Sequence, residues 1–280
     1  MKKIAILITC FNRVDITLLC LDNLFKSKIP LNFDIEVYLV DDNSPDKTGE
    51  IVSREYKQVN IIKGSGELYW NGGMRLAWDT AFKKNDYDFY LWLNDDTLIN
   101  KDAIINLIDD YYNLVNKNIE AIISGSLCDP KTKQITYVGR YKNKILYPNG
   151  VPQRCDMIPG NFVLIPKIVY KKIGNLSSKF THGFGDTDYG LRVIKGGFSC
   201  YISSIYIGVC SANNKILWHN SKLSFKQRKR ILFSTTGGNI YEYLQYIKRH
   251  RGWGQMYLST CKTIVRLFLP KIFERKRNYL

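Results

Sequence analysis

The chain has 280 residues and a net charge of +16, with 45% hydrophobic and 24% charged residues. That length buries a full core, in one large domain or in a domain with an appendage, and the composition is that of a globular protein rather than a disordered one. Seven irregularly spaced Cys with no C-x-x-C pair exclude a disulfide framework and a zinc ribbon, so a reducing cytosol is the expected environment. No run approaches the ~18 consecutive apolar residues of a membrane span.

The charge is uneven. From Lys222 onward, fourteen Lys and Arg face only Glu242 and Glu274, so that segment holds +12 of the net +16. Such asymmetry calls for an anionic partner at the C-terminal end, either lipid head groups or nucleic acid. The 19 Tyr raise the aromatic share to 13%, as expected where flat ligand faces are held or where a core is aromatic.

In chain order, strands and helices alternate. The opening residues mimic a secretion signal until Asn12, Arg13 and Asp15 interrupt them, and they read instead as a first strand. Its all-apolar part, Ile4 to Ile8, has the signature of a strand covered on both faces. Asn12 is placed to cap a helix whose Val14, Leu18, Leu21 and Phe25 recur at helical spacing. Ile35 to Val40 predicts a second strand, with Asp41-Asp42-Asn43-Ser44 as its exit and Ser44-Pro45 as a helix start. After a short strand near Val59 to Ile62 comes a glycine-bearing loop, then Asn71 as a cap for a helix carrying Met74, Ala77, Trp78, Ala81 and Phe82 on one face.

Phe89 to Leu93 is an apolar strand that runs directly into Asn94-Asp95-Asp96. These polar residues form either a turn with a helix cap or ligands for a hard divalent cation that escorts a diphosphate. Asn100 to Ala103 is a helix start, with Ile104, Leu107, Ile108 and Tyr111 following at helical spacing. Alternating units of this length imply a parallel sheet, in which the ends carrying Thr9, Asp41 and Asp42, and Asp95 and Asp96 share one edge. Three independent turns have no reason to be acidic or hydroxylic in the same crevice, which favours the ligand reading.

Further on, Ser124 to Gly150 reads as short polar strands and turns, and Val151 to Asp156 as a loop. Gly160-Asn161 leads an apolar strand to Pro166, and Lys167 to Ile173 reads as helix. Asn161 is a turn residue or faces a ligand. A second acidic cluster holds Asp186 and Asp188; Asp188 lies one turn before Arg192, as an ion pair on a helix requires, whereas Asp186 sits at or before the helix start, free to face the sheet edge.

Five motifs in this order resemble family 2 glycosyltransferases: Ile8-Thr9-Cys10-Phe11-Asn12-Arg13, Val40-Asp41-Asp42-Asn43-Ser44, Tyr69-Trp70-Asn71-Gly72-Gly73-Met74-Arg75, Leu93-Asn94-Asp95-Asp96-Thr97 and Gly183 to Arg192. The resemblance covers about residues 3 to 210. It implies the GT-A fold, an α/β architecture with a Rossmann-like, mostly parallel sheet flanked by helices, and transfer of a sugar with inversion from a UDP- or dTDP-linked donor. It further implies that Thr9, Phe11, Arg13, Asp41, Trp70, Asn71, Gly72, Arg75 and Asp95 contact the donor, and that Asp96 binds Mg2+ or Mn2+. His219 is a further candidate metal or phosphate contact, and Asn161 lies on the acceptor side. By the same resemblance the general base would be Asp186, with Asp188 as second choice because Gly185 stands where the family pattern has an acid. Residues 1–221 are then the catalytic domain, with a nucleotide-binding half to residue 115 and an acceptor-binding half after it.

Residues 222–280 form a basic helical extension. Tyr257, Cys261, Ile264, Val265 and Phe268 share one face and Lys262 and Arg266 another, a pattern that suits packing on the catalytic domain or, with Trp253, Phe273, Arg275, Lys276 and Arg277, an anionic membrane surface. No nucleic-acid-binding module is recognisable. The expectation is a cytoplasmic enzyme, peripheral to the inner face of the cell membrane, with a glycan or lipid-linked acceptor. The alternatives are a sugar-nucleotide nucleotidyltransferase and a non-catalytic sugar-nucleotide-binding subunit.

Overall fold

The computed structural model of the chain describes residues 1–212 and 217–274. Asn213, Asn214, Arg275, Lys276, Arg277 and the side chain of Phe273 lie outside the described residues. The chain divides into two compact units, residues 1–178 with 185–212, and residues 179–184 with 213–280.

The first unit alternates as its apolar runs require: β1 (Lys2–Cys10), α1 (Val14–Phe25), β2 (Phe33–Asp41), α2 (Thr48–Glu55), β3 (Val59–Lys63), α3 (Tyr69–Lys84) and β4 (Phe89–Leu93). It continues through β5 (Leu98–Ile99), α4 (Ala103–Val115), β6 (Ala121–Cys128), β7 (Ile135–Tyr137), β8 (Arg140–Tyr141), β9 (Lys144–Ile145), β10 (Gln153–Cys155), β11 (Phe162–Pro166), α5 (Lys167–Ile173), α6 (Gly185–Lys195) and β12 (Ser199–Val209). The main sheet runs β10-β12-β6-β11-β4-β1-β2-β3, with β5 on β12 and β7 on β6, while β8 and β9 form a separate ribbon. β1, β2, β3 and β4 pair in parallel, and β11 lies antiparallel between β4 and β6.

β1 shows why both faces are covered. Successive side chains of a strand point to opposite faces. Ile4, Ile6 and Ile8 join Leu91 and Leu93 in a core layer closed by α1 and α4, through Leu21, Leu24, Leu107 and Ile108. Ala5 and Leu7 point the other way, into a layer with Tyr90 and Trp92 that is closed by Met74, Ala77 and Trp78 of α3 and by Tyr189 of α6. Much of the aromatic content is spent here: the ring of fully buried Trp78 lies 5.0 to 5.7 Å from those of Tyr90, Trp92, Tyr170 and Tyr189.

Several local expectations are corrected. Asn12 does not cap α1; it sits in the left-handed region at φ 52° and donates its N–H to Ser44 Oγ. α2 starts at Thr48 rather than at Ser44-Pro45, because Asp46 accepts both the N–H and the hydroxyl of Thr48. α3 starts at Tyr69, before Asn71, which is fully buried in the first turn. α4 does begin within the expected Asn100 to Ala103, at Ala103, though with no side-chain cap, and the Asn100 side chain donates to Tyr206 O. The stretch from Ser124 opens inside a buried strand, β6, rather than a polar one. Its hydroxyls are absorbed by neighbours: Ser124 Oγ donates to Pro159 O at 2.9 Å, and Ser203 Oγ accepts the Ser126 N–H at 2.9 Å.

The second unit is helical: α7 (Phe225–Phe233), α8 (Ile240–Phe268) and α9 (Lys271–Glu274). A capping box at Ser224 and Gln227 starts α7, and Leu232, Ile240 and Leu267 form a small core. The basic segment from residue 222 falls within this unit.

Trp78→Ala should lower stability by about 3–5 kcal/mol, the usual cost of emptying a buried aromatic site. Urea unfolding of the full chain measures it.

Candidate active site

Buried β4 delivers Asn94, Asp95 and Asp96 to the sheet edge. Asn94 makes the turn: its N–H donates to Asn161 O at 2.8 Å, and its carbonyl accepts Thr97 N–H at 3.0 Å. The two acids that follow are treated differently. Asp95 is 5% exposed and accepts Thr17 Oγ1 at 3.2 Å and Arg13 Nη1 at 3.3 Å. Burial pushes its carboxyl up to about 7, with the adjacent Asp96 charge adding to the rise and Arg13 and Thr17 opposing it. Asp96 keeps its side chain partly exposed and lies 3.3 Å from the same Arg13 nitrogen. One guanidinium therefore serves both carboxylates. Asp96 also accepts from Cys210 Sγ at 3.7 Å, and Asn161 Nδ2 lies 3.8 Å from that sulfur.

The parallel pairing of β1, β2 and β4 sets their polar exits side by side, with Cys10 opposite Asp41. Thr9 is buried against α3, where a Cβ at Gly73 would come within 2.1 Å of its Oγ1. Gly72 is buried beside Leu68, and Phe11 is half exposed. Asp41 is committed to its own loop: it accepts the N–H groups of Ser44 at 3.0 Å and Gly49 at 3.1 Å, and the Ser44 hydroxyl. The neighbouring Asp42 carries a role that sequence reasoning missed. Buried, it accepts three backbone N–H groups, from Gly66 at 2.7 Å, Leu68 at 2.8 Å and Tyr69 at 3.0 Å, and so ties down the loop into α3. A Cβ on Gly64 would meet its Oδ1 at 2.6 Å, so the glycines of that loop were the available signal. Arg75, one turn after Asn71, makes no ion pair among the described residues.

Asp186 lies in the first turn of α6. Its Oδ2 accepts Gly160 N–H at 3.1 Å, and its Oδ1 accepts Thr187 N–H at 2.7 Å. Surrounding protein pushes its pKa up, against the pull of those N–H groups. Gly160 has no room for a side chain, because a Cβ would sit 2.8 Å from the Trp70 ring and 3.0 Å from Asp186 Cβ. Trp70 in turn donates its Nε1–H to Asn94 Oδ1 at 2.7 Å. One indole thus bridges the Asn94 turn to the carboxylate read as the base. Gly185 is pressed equally closely against Asn71, whose Nδ2 donates to Ser177 O.

Asp188, the second choice for the base, is engaged in an ion pair inside the fold. Its side chain is fully buried, 2.9 Å from Arg192 Nε, and the same guanidinium donates to Ile173 O and Asn175 O. His219 belongs to the second unit, with its ring edge-on to Trp218.

Among the described residues, no group of three or more His, Cys, Asp and Glu side chains is placed to hold a metal. Asp96, beside Asp95, nevertheless fits a hard cation of the Mg2+ type, which takes one or two carboxylates and completes its shell with water and substrate phosphates.

Residues 5–171 match the family described as Glycosyl transferase family 2. An uncharacterized glycosyltransferase of Rickettsia typhi is 29% identical over 181 residues, 62% of this chain and 52% of that protein. A poly(ribitol-phosphate) beta-glucosyltransferase of Bacillus spizizenii is 28% identical over 128 residues, 45% of this chain and 19% of that protein. The chain therefore spans about half the length of the first relative and a fifth of the second. Among solved structures, the mannosyltransferase PcManGT from Pyrobaculum calidifontis, in complex with GDP-Man and Mn2+, superposes with a TM-score of 0.57 at 14% identity, over 88% of this chain and 64% of that one. Residues 1-349 of S. aureus TarS with UDP-GlcNAc give a TM-score of 0.56 at 14% identity, over 89% of this chain and 72% of that one. The fold is that of the GT-A glycosyltransferases. The chain belongs to glycosyl transferase family 2.

If Asp188 serves the fold, Arg192→Ala should cost on the order of 3 kcal/mol, because it strands a buried carboxylate. Adding Asp188→Asn should recover part of that loss in the same urea titration.

Proposed function

We propose that this chain transfers one sugar, with inversion, from a UDP- or dTDP-linked donor to a hydroxyl of a glycan or lipid-linked saccharide. The observation that carries this reading is the Asn94–Trp70–Gly160–Asp186 connection, which holds two separate acidic sites at fixed spacing on one sheet edge. Direct displacement needs both. Negative charge develops on the departing diphosphate, while the incoming hydroxyl must lose its proton on the opposite face of the sugar.

Asp96, supported by Asp95, would hold Mg2+ or Mn2+, which when bound steadies the charge of the leaving diphosphate. Arg13 supplies a positive charge beside both acids and is placed to meet the diphosphate. The loop tied by Asp42 leads into the first turn of α3, where Trp70 would border the donor, buried Asn71 and Gly72 would shape the turn behind it, and Arg75 follows one turn along. Asp186 takes the acceptor proton as the acceptor oxygen bonds to the anomeric carbon and the bond from that carbon to the diphosphate oxygen breaks. Its raised pKa suits a base. The nucleotide sugars in the complexes of PcManGT and TarS support the donor class, and the beta-glucosyltransferase named for poly(ribitol-phosphate) supports sugar transfer to a polymer acceptor.

No described helix is long and apolar enough to cross a membrane. Beyond Gly252, α8 carries apolar side chains that are more than half exposed, Trp253, Tyr257, Ile264 and Phe268 among them, although Leu267 turns into the small core, so we place the enzyme at a membrane surface through this segment.

A thermal-shift screen of nucleotide sugars with and without Mn2+ tests the donor class, since a true donor raises the melting temperature as its affinity dictates. Asp96→Ala should abolish the Mn2+-dependent part of the shift and the hydrolysis of donor without acceptor. Release of pyrophosphate instead of nucleoside diphosphate would assign the chain to nucleotidyl transfer.

Asp186→Asn should keep the donor shift yet lower kcat by about 10²–10⁴-fold. In the native enzyme the base is lost as pH falls through the Asp186 pKa. The acid limb of kcat/KM should therefore lie above the usual carboxylate range. Full transfer by Asp186→Asn, with transfer lost in Asp188→Asn, would reassign the base.

A further inference from the structure

The second unit contains a site that the transfer chemistry does not use. α8 leaves helical geometry at Gly252, with φ 84° and ψ 173°, a conformation that only glycine adopts without strain. Beside this break Gln245, Lys248, Arg249 and Trp253 line a concavity with Lys179 and Phe180 from the 179–184 segment of the same unit. Phe180 is buried and forms the floor, while Trp253 stands exposed at the side with Lys248 Nζ 3.8 Å from its ring centroid.

Among the described residues the lining has three cations and no carboxylate. Glu242, the single acid of α8, is buried and accepts Thr181 N–H at 2.7 Å, so it serves the unit's own structure. A hollow lined by positive charge favours an anion over a neutral or cationic ligand. A basic stretch of helix is ordinarily just a solvated face, but this one adjoins a different surface. Beyond Gly252, Trp253, Tyr257, Ile264 and Phe268 follow at intervals of four, seven and four residues, which helical geometry gathers into one stripe. Each of the four is more than half exposed, Phe268 even though its ring meets that of Phe225. Lys262 and Arg266 fall on the other side. Before the break, Tyr246 and Ile247 are buried, and beyond it Leu267 joins the small core with Leu232 and Ile240, while the stripe from Trp253 to Phe268 stays more than half exposed.

We propose that this concavity binds the phosphate of an anionic phospholipid head group, while the apolar stripe of α8 lies in the head-group and acyl boundary. The inference rests on the membrane-surface reading above and adds a head-group site to it. The aromatic floor and side suit a ligand whose phosphate continues into apolar chains, and the stripe beginning at Trp253 supplies the surface those chains would meet.

The test is sedimentation of the full chain with vesicles of phosphatidylcholine alone or mixed with phosphatidylglycerol, at fixed ionic strength. The native protein should bind the mixed vesicles more tightly. The double variant Lys248→Ala with Arg249→Ala should lose on the order of 30-fold on mixed vesicles, as two surface cations warrant, and should bind neutral ones as before. Tyr257→Asp with Ile264→Asp should weaken binding to both. Circular dichroism melts that match the native protein's establish that the variants are folded. A Lys248/Arg249 variant that keeps the native preference for phosphatidylglycerol overturns the head-group site while leaving the membrane reading intact. Native protein that sediments with neither vesicle overturns both. Competition by inorganic phosphate with the vesicles, to the same extent in native and variant proteins, would show that the preference does not arise in this concavity.

Discussion

The placement of the Asp95 carboxylate out of water is the constraint from which the rest of the site follows. A carboxylate there is costly unless hydrogen bonds and a counter-charge meet it. Both come from the start of α1, as the Thr17 hydroxyl and the Arg13 guanidinium. The polar exit of β1 is thereby drawn to the exit of β4, although 82 residues separate Arg13 from Asp95. The same guanidinium reaches the more exposed Asp96, so the acid best placed to meet a ligand already shares its cation with one that is not.

The second organising contact is the Trp70 indole. Its N–H holds Asn94 and its ring covers Gly160, whose own N–H holds Asp186. A movement of the Asn94 turn is therefore transmitted to the candidate base through one rigid side chain and one backbone amide. The absence of a Cβ at Gly160 is what permits this approach, and it accounts for a glycine just before the strand that pairs with β4.

Much of the fold was legible because burial leaves a periodic trace. The apolar runs of β1, β2 and β4 and the helical spacing in α1, α3 and α4 reveal those elements, and their alternation implies a parallel sheet. β6 was obscured because Ser124 and Ser126 look like surface residues until Pro159 and Ser203 are there to bond them. Helix starts at Asn12, Ser44 and Asn71 were misplaced for the same kind of reason. Each is drawn into a longer-range contact, with Asn71 buried beneath Gly185, and local capping preference gives way to it. Within the site, Asp95, Asp96 and Asp186 stood out as acids near element ends, and Asp188 as an i,i+4 ion pair. The indole bridge and the Cys210 contact to Asp96 were not legible, since they join residues whose proximity exists only in the folded sheet, and the role of Asp42 left no trace beyond the glycines of the loop it holds.

Asp42 also bears on how a ligand would be greeted. A loop that must close around a substrate loses conformational freedom at the moment of binding, and that loss is subtracted from affinity. Here the backbone of Gly66, Leu68 and Tyr69 is already anchored to one buried carboxylate, and Tyr69 is held at a positive φ of 53°. The entropy of ordering this segment is met during folding. If the loop borders the donor as proposed, selectivity at this edge would depend on the fit of a rigid rim rather than on the ability of a soft one to adapt.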